Sequence, residues 1–223
     1  MIKRIDFKKL MVLITVPLAF TLLGYMILFF SAKSAINSVI NIWSMMATDT
    51  QIFNADDTYT DLYSGEIFNS YTDTVPSSLI TFPSPSSKYG EIAVEGTDID
   101  CPLFFGDDDK TLRRGAGHYK GSSFPGMCST TIIGGHNNSF FKTLKDAKVG
   151  SIVTVKTHYG VYTYKITGTA IKKFDDRTAF DITAENENLV LYTCYPFNAL
   201  GLTKQRYFVY GEYISGPKIL LNE

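Results

Sequence analysis

The chain of 223 residues contains three cysteines, Cys101, Cys128 and Cys194. That is too few for a disulfide scaffold, and an odd count leaves at least one free thiol in a monomer. Positive charge is not in excess either: 21 Lys and Arg stand against 22 Asp and Glu, a formal net charge of −1. A nucleic-acid-binding domain ordinarily carries a basic patch, so the composition argues against one. Zinc-ligand spacing and a glycine-rich phosphate loop are both absent, so neither metal nor cofactor is expected. The acidic run Asp107–Asp108–Asp109 lacks the spaced carboxylates and closing Glu of a calcium loop, and reads as a surface turn. No internal repeat and no second membrane span is visible. Lys and Arg are missing altogether from residues 34–87, while Asp49, Asp56, Asp57, Asp61, Glu66 and Asp73 recur there.

What is present begins with a membrane signal. Residues 10–30 (LMVLITVPLAFTLLGYMILFF) are uncharged, long enough to cross a bilayer core of about 30 Å. Pro17 and Gly24 are tolerated in such helices. Lys3, Arg4, Lys8 and Lys9 precede the stretch against a single Asp6, which predicts a cytoplasmic N-terminus and export of everything after Phe30. A cleaved signal peptide is the alternative, with small residues at 32–35, but its apolar region usually runs only about 7–15 residues. Residues 34–46 carry Ile36, Val39, Ile40 and Trp43 at helical spacing and could continue the anchor helix. The following Ser-, Thr-, Asp- and Asn-rich stretch ends in FPSPSS, the composition of a spacer, with a lid over the active site as the other reading. The expected organisation is a basic tail and signal-anchor over 1–33, a stalk over 34–87, a folded domain over 88–216 and a tail over 217–223.

The chain is rich in aromatics, 14 Tyr and 16 Phe, which suit half-buried sheet surfaces. Short apolar runs at 91–94 and 101–105 are separated by Gly96 and Asp98. Residues 151–171 read as a hairpin around His158–Tyr159–Gly160, and 189–193 and 207–213 as two further strands. One short helix is predicted over 139–147, with Phe140, Phe141 and Leu144 on one face and Asn137 or Asn138 as its cap. Many short strands with few helices imply a mostly antiparallel, closed or nearly closed β-barrel.

Chemistry-bearing residues fall at strand ends. Cys194 closes the run LVLYT, and Arg206 begins the next strand 12 residues later. If those strands pair antiparallel, the two residues face each other at one rim of the sheet. His136 follows a strand at 130–134. A free thiol with a pKa near 8.5 is only about 3% thiolate at pH 7, and a neighbouring imidazolium and guanidinium would raise that fraction. Such a thiolate could attack a carbonyl, with Arg206 steadying the oxyanion and His136 protonating the leaving amine. Each residue alone has a blander reading: a core cysteine, a turn histidine, a surface arginine. His118 reads as structural and a weak second candidate base, and His158, at a hairpin tip, receives no role.

Residues 191–212 (LYTCYPFNALGLTKQRYFVYGE) resemble the sortase pattern Thr-x-Thr-Cys followed by Arg on the next strand. Residues 130–144 (TTIIGGHNNSFFKTL) are similar to the family's strand leading to its catalytic His and a short helix. Residues 112–126 (LRRGAGHYKGSSFPG) and 88–94 (KYGEIAV) also resemble sortase segments, and the likeness spans about 89–214. It implies a mostly β, sortase-like barrel behind one transmembrane helix, on the outer face of a Gram-positive cell. It implies a cysteine transpeptidase with His136, Cys194 and Arg206 as the catalytic residues and no cofactor. Its partners would be surface proteins bearing a Leu-Pro-x-Thr-Gly-like sorting signal and an amine of a cell-wall precursor or a pilin. The Cys-Tyr-Pro-Phe and Gly-Ala-Gly-His-Tyr segments look most like class D. Asn137 and Asn138 depart from the family's Arg-Asp pair, and Cys128 from a small residue or Asn. A surface endopeptidase that mainly hydrolyses, and a non-catalytic scaffold on the same barrel, are the alternatives. Export also permits a Cys101–Cys128 disulfide, with two buried reduced thiols as the competing reading.

Overall fold

A computed structural model describes residue 8 and residues 11–28, 61–65, 73–197, 199 and 203–221. The predicted helical continuation at 34–46 and much of the stalk lie outside the described residues. The apolar N-terminal stretch forms one helix, α1 (Met11–Leu28), long and apolar enough to cross a membrane, with no part of it buried against protein. Bare Leu, Ile and Phe side chains along its length are what lipid, and not water, would cover.

The alternating pattern of the remaining sequence produces eight strands that close into a barrel. They are β2 (Lys88–Val94), β3 (Asp100–Phe105), β4 (Ala116–His118), β5 (Thr130–Gly135), β6 (Ile152–Thr157), β7 (Gly160–Lys173), β8 (Asn188–Tyr195) and β9 (Gln205–Ser215). Their order around the barrel is β2-β3-β4-β5-β8-β9-β7-β6. Closure satisfies the edge strands that an open sheet of this size would expose. Most pairs are antiparallel, but β3–β4 and β5–β8 are parallel, so their connections must cross back along the outside of the barrel. The first crossing carries a single turn of helix, α2 (Asp109–Leu112). A separate pair, β1 (Thr74–Pro76) and β10 (Lys218–Leu220), joins the residues before the barrel to those after it. Leu62 N–H donates to the Lys88 carbonyl at 2.8 Å, and Tyr63 is buried, so part of the segment read as stalk packs on the start of β2.

Period-2 side-chain direction gives the barrel two apolar layers. Inside lie Tyr89, Ile92, Leu103, Val153, Val155, Tyr162, Tyr164, Leu189, Leu191 and Val209. Outside, Ile132, Ala179, Val190 and Phe208 form a second cluster with Phe180, Tyr192 and Tyr210 packed against it. β8 is therefore covered on both faces, which explains its unbroken apolar run. The predicted helix over 139–147 is a series of turns ending in a 3-10 turn, Leu144–Asp146. Phe141 and Leu144 are fully buried from it. Packing those two side chains onto the barrel holds the segment, and its bonds are of the i→i+3 kind, as in Lys142 N–H to the Ser139 carbonyl.

All three thiols are free, so the suggested Cys101–Cys128 bridge is absent. Cys101 lies near the start of β3 and Cys128 in the loop before β5, at opposite ends of the barrel, beyond the roughly 7 Å a disulfide spans. Burial pushes the Cys101 thiol up to about 12, leaving it an inert core group.

His118 is a structural group. Its Nδ1 bonds the Tyr89 hydroxyl at 2.8 Å and its Nε2 the Ser122 hydroxyl at 2.9 Å, among Phe105 and Phe124. Burial lowers its pKa to about 4. Because the folded value lies below the unfolded one of about 6.5, the unfolded chain alone binds this proton between those limits. Stability from this group is full above pH ~6.5 and is lost as pH falls toward 4, about 3 kcal/mol in all. Urea unfolding from pH 7.5 to 4.5 should show that loss, and His118→Gln should flatten it.

Candidate active site

Three adjacent strands, β5, β8 and β9, set the geometry. In the antiparallel β8–β9 pair Cys194 stands directly opposite Arg206. In the parallel β5–β8 pair Gly135 is level with Thr193, so His136, one residue on, arrives level with Cys194. All three residues singled out in the sequence thus reach one rim, and Cys194 is partly buried there. By alternation Cys194 and Arg206 share the outer face with Val190, Tyr192, Phe208 and Tyr210, not the barrel interior.

Local bonds fix these ends. Thr193 Oγ1 donates to the Gly135 carbonyl at 2.7 Å, and Asn137 Nδ2 donates to the Pro196 carbonyl at 3.1 Å. Asn137 therefore ties the β5 end to the loop after the cysteine and does not cap a helix. Phe141 N–H donates to the His136 carbonyl at 3.0 Å. The Phe141 ring covers Gly135 so closely that a Cβ there would lie 2.5 Å from ring carbons. Arg206 Nη1 donates to the carbonyls of Thr203 at 2.8 Å and Gln205 at 2.9 Å, which orients the guanidinium from one side. The remaining N–H groups of its planar fork lie outside those two bonds.

The acidic run read as a plain surface turn has three distinct jobs. Asp107 Oδ2 accepts from the Tyr192 hydroxyl at 3.0 Å. Asp108 caps α2, accepting from Thr111 N–H at 3.0 Å and Thr111 Oγ1 at 2.9 Å. Asp109 contacts Arg113 Nη2 at 2.7 Å through one oxygen and stands 3.5 Å from His136 Nε2 with the other. At that length the second contact is not a formed hydrogen bond and becomes an ion pair only when His136 is protonated; Nε2 has no hydrogen-bond partner. Burial lowers the His136 pKa most, with Arg113 acting in the same direction and Asp109 opposing both. These carboxylates were not legible as site neighbours. The Asp108-x-x-Thr111 spacing is a helix-start signal, yet it says nothing of a histidine 27 residues beyond Asp109. Among the described residues no cluster of His, Cys, Asp and Glu is arranged to hold a metal ion.

Tyr192 reaches Asp107 by lying across Gly134 of β5. A Cβ at Gly134 would be 2.7 Å from Tyr192 Cε1 and Oη, and closer still to Cζ. Burial, and then Asp107, push the phenol pKa up, so it remains a donor at any working pH. Gly134→Ala should displace this ring and destabilise the chain by about 1–3 kcal/mol. Tyr192→Phe, which loses only the hydroxyl bond, should cost about 1–2 kcal/mol. Denaturant unfolding followed by circular dichroism checks both, the order being Gly134→Ala above Tyr192→Phe.

Comparison with known proteins agrees with this architecture. A family model of the sortase domain matches residues 92–214. The chain is 30% identical over 133 residues to sortase D of Bacillus subtilis, covering 60% of this chain and 67% of that protein. A class D sortase transpeptidase of Clostridium perfringens superimposes with a TM-score of 0.53 at 19% identity, over 59% of this chain and 82% of its own. A pilus-related sortase C of Group B Streptococcus does so with a TM-score of 0.53 at 26% identity, over 59% and 69%. With its barrel and its sequence both matching one family, this chain belongs to the sortases.

Proposed function

We propose that the protein is a membrane-anchored cysteine transpeptidase that cleaves a Leu-Pro-x-Thr-Gly-like sorting signal and passes the released acyl group to an amine. The observation that carries this reading is the register of β5, β8 and β9, with Cys194 opposite Arg206 and level with His136. The Cys194 thiolate attacks the scissile carbonyl, and the new S–C bond turns its oxygen into an oxyanion. Arg206 donates to that oxyanion. His136, as imidazolium, gives its proton to the departing amine as the C–N bond breaks, leaving a thioester and a neutral imidazole. An incoming amine then attacks the thioester, the imidazole takes its proton, and the thiolate leaves. Water in place of the amine gives hydrolysis.

The outer apolar layer supports an extended peptide as substrate. A groove of ≈ 520 Å³ is lined by Ala179, Phe180, Val190 and Tyr210, with Arg177 and Lys172 at its side. Val190 lies four residues before Cys194 on the same face, about 13 Å along the strand. The four residues from the Leu to the Thr of such a signal make three extended steps, about 10 Å, most of that distance. The basic flank before α1 supports a cytoplasmic N-terminus with the barrel outside the cell. Likeness to a sortase D and to a pilus-related sortase C leaves both a wall precursor and a pilin as the accepting amine.

Incubating the full chain in detergent with a quenched Leu-Pro-x-Thr-Gly peptide and an amine acceptor tests the reading. Cys194→Ala should abolish cleavage and transfer, and His136→Ala should come close to that. Arg206→Ala should lower the rate by about 10²–10³, with Arg206→Lys recovering little. Losses among the three should be far from additive. Cleavage by a folded Cys194→Ala chain would overturn the mechanism, and product unaffected by added amine would make the enzyme a hydrolase.

Topology has its own measurement. Protease added to intact cells should digest the barrel, and complete protection would overturn the external placement.

A further inference from the structure

The crossover from β3 to β4 brings a charged pair to the rim that the three residues of the mechanism do not include. α2 is only one turn long, yet its start is fixed from two sides by the Asp108 cap on Thr111. Asp109, the first residue of that turn, is gripped by Arg113 at 2.7 Å, one helical turn on. Arg113 is mostly buried, its side chain 18% exposed, so it holds the carboxylate from a fixed position. The second Asp109 oxygen stands 3.5 Å from His136 Nε2. That nitrogen is buried and makes no hydrogen bond, an expensive state for an imidazole unless a charge nearby compensates it. Asp107 and Asp108 are engaged elsewhere, with Tyr192 and Thr111, so Asp109 is the carboxylate that faces the ring.

We propose that Asp109 is a positioning residue for His136: clamped by Arg113, its carboxylate holds Nε2 toward α2 and supplies the negative charge the imidazolium needs. The inference rests on the catalytic reading of His136 given above. An Nε2–H directed at Asp109 makes Nδ1 the nitrogen that exchanges protons with Cys194 and the substrate amine. The charged groups around the ring are Asp109 and Arg113 from α2 and its C-cap, with Cys194 of β8 and Arg206 of β9 along the rim. Burial disfavours the imidazolium most and Arg113 acts the same way, while the Asp109 carboxylate opposes both. Without it His136 keeps the neighbouring Arg113 guanidinium and loses the carboxylate at Nε2. The fraction of molecules holding thiolate and imidazolium together then falls with the imidazole pKa.

The test uses the full chain in detergent micelles with ¹³C-labelled histidine. The chain has three histidines, so the His136 signal is assigned by its loss in His136→Gln. Asp109→Asn should lower the His136 titration midpoint by about half a pH unit, the scale of a partly exposed pair. Asp109→Glu should keep it, and Arg113→Gln should raise it. In the same variants kcat/KM at pH 7 should fall about threefold for Asp109→Asn, in kcat and not KM, with the acid limb moved by the titration shift. An unmoved His136 midpoint in Asp109→Asn overturns the proposal, whether or not activity falls. A moved midpoint with an unmoved rate profile overturns it as well. Activity surviving in Cys194→Ala would instead sink the catalytic reading, while the titration still reports the Asp109–His136 pairing by itself.

Discussion

The rim depends on how β8 is paired. It lies between β5, which runs parallel to it, and β9, which runs antiparallel. Ladder hydrogen bonds fix both registers, and a slip of one residue would turn Cys194 from the outer face to the interior. Such a slip would also expose Leu189 and Leu191 and bury Asn188, so the core itself enforces the register. The Thr193–Gly135 and Asn137–Pro196 bonds then hold the two strand ends together where the ladder stops. Hydrophobic burial thus places a thiol, an imidazole and a guanidinium that come from positions 136, 194 and 206.

Two apolar layers share that one strand. The inner layer stabilises the barrel, and the outer one leaves a groove lined by Ala179, Phe180, Val190 and Tyr210. Gly134 belongs to this arrangement because Tyr192 occupies the space its side chain would need. The phenol in turn reaches Asp107, binding the β3–β4 crossover to the strand that carries the cysteine. Stability and site geometry are therefore coupled through the outer face, while the interior carries inert groups such as Cys101 and His118.

Electrostatics at the rim is a balance of opposed terms. Burial and Arg113 favour a neutral His136, and Asp109 favours the imidazolium. Arg206 is steadied by the backbone carbonyls of Thr203, in the loop that follows Cys194, and of Gln205 at the start of β9. Asp109 and Arg113 hold each other and Arg206 is held by backbone carbonyls, so these charges are fixed at the rim by the fold.

Much of this was written locally in the sequence. Alternation of apolar residues determined the strand at 152–157, because a period of two suits a half-buried strand, and the unbroken apolar run at 189–193 marked one covered on both faces. The spacing of 12 positions from Cys194 to Arg206 determined that those two would meet, since a short connection joins antiparallel neighbours. The uncharged run near the N-terminus determined α1. Other features were decided only by tertiary packing. Residues 139–147 have a helical pattern, yet burial of Phe141 and Leu144 is achieved by turns. Asn137 looked like a cap and became a tie to Pro196, because its partner is 59 residues away. Asp107, Asp108 and Asp109 are indistinguishable by composition, and their separate partners, Tyr192, Thr111 and His136, follow from a crossover whose path is dictated by the parallel β3–β4 pair. Periodicity and short loops are local properties that a sequence records directly, whereas contacts between distant strand ends exist only once the barrel has closed.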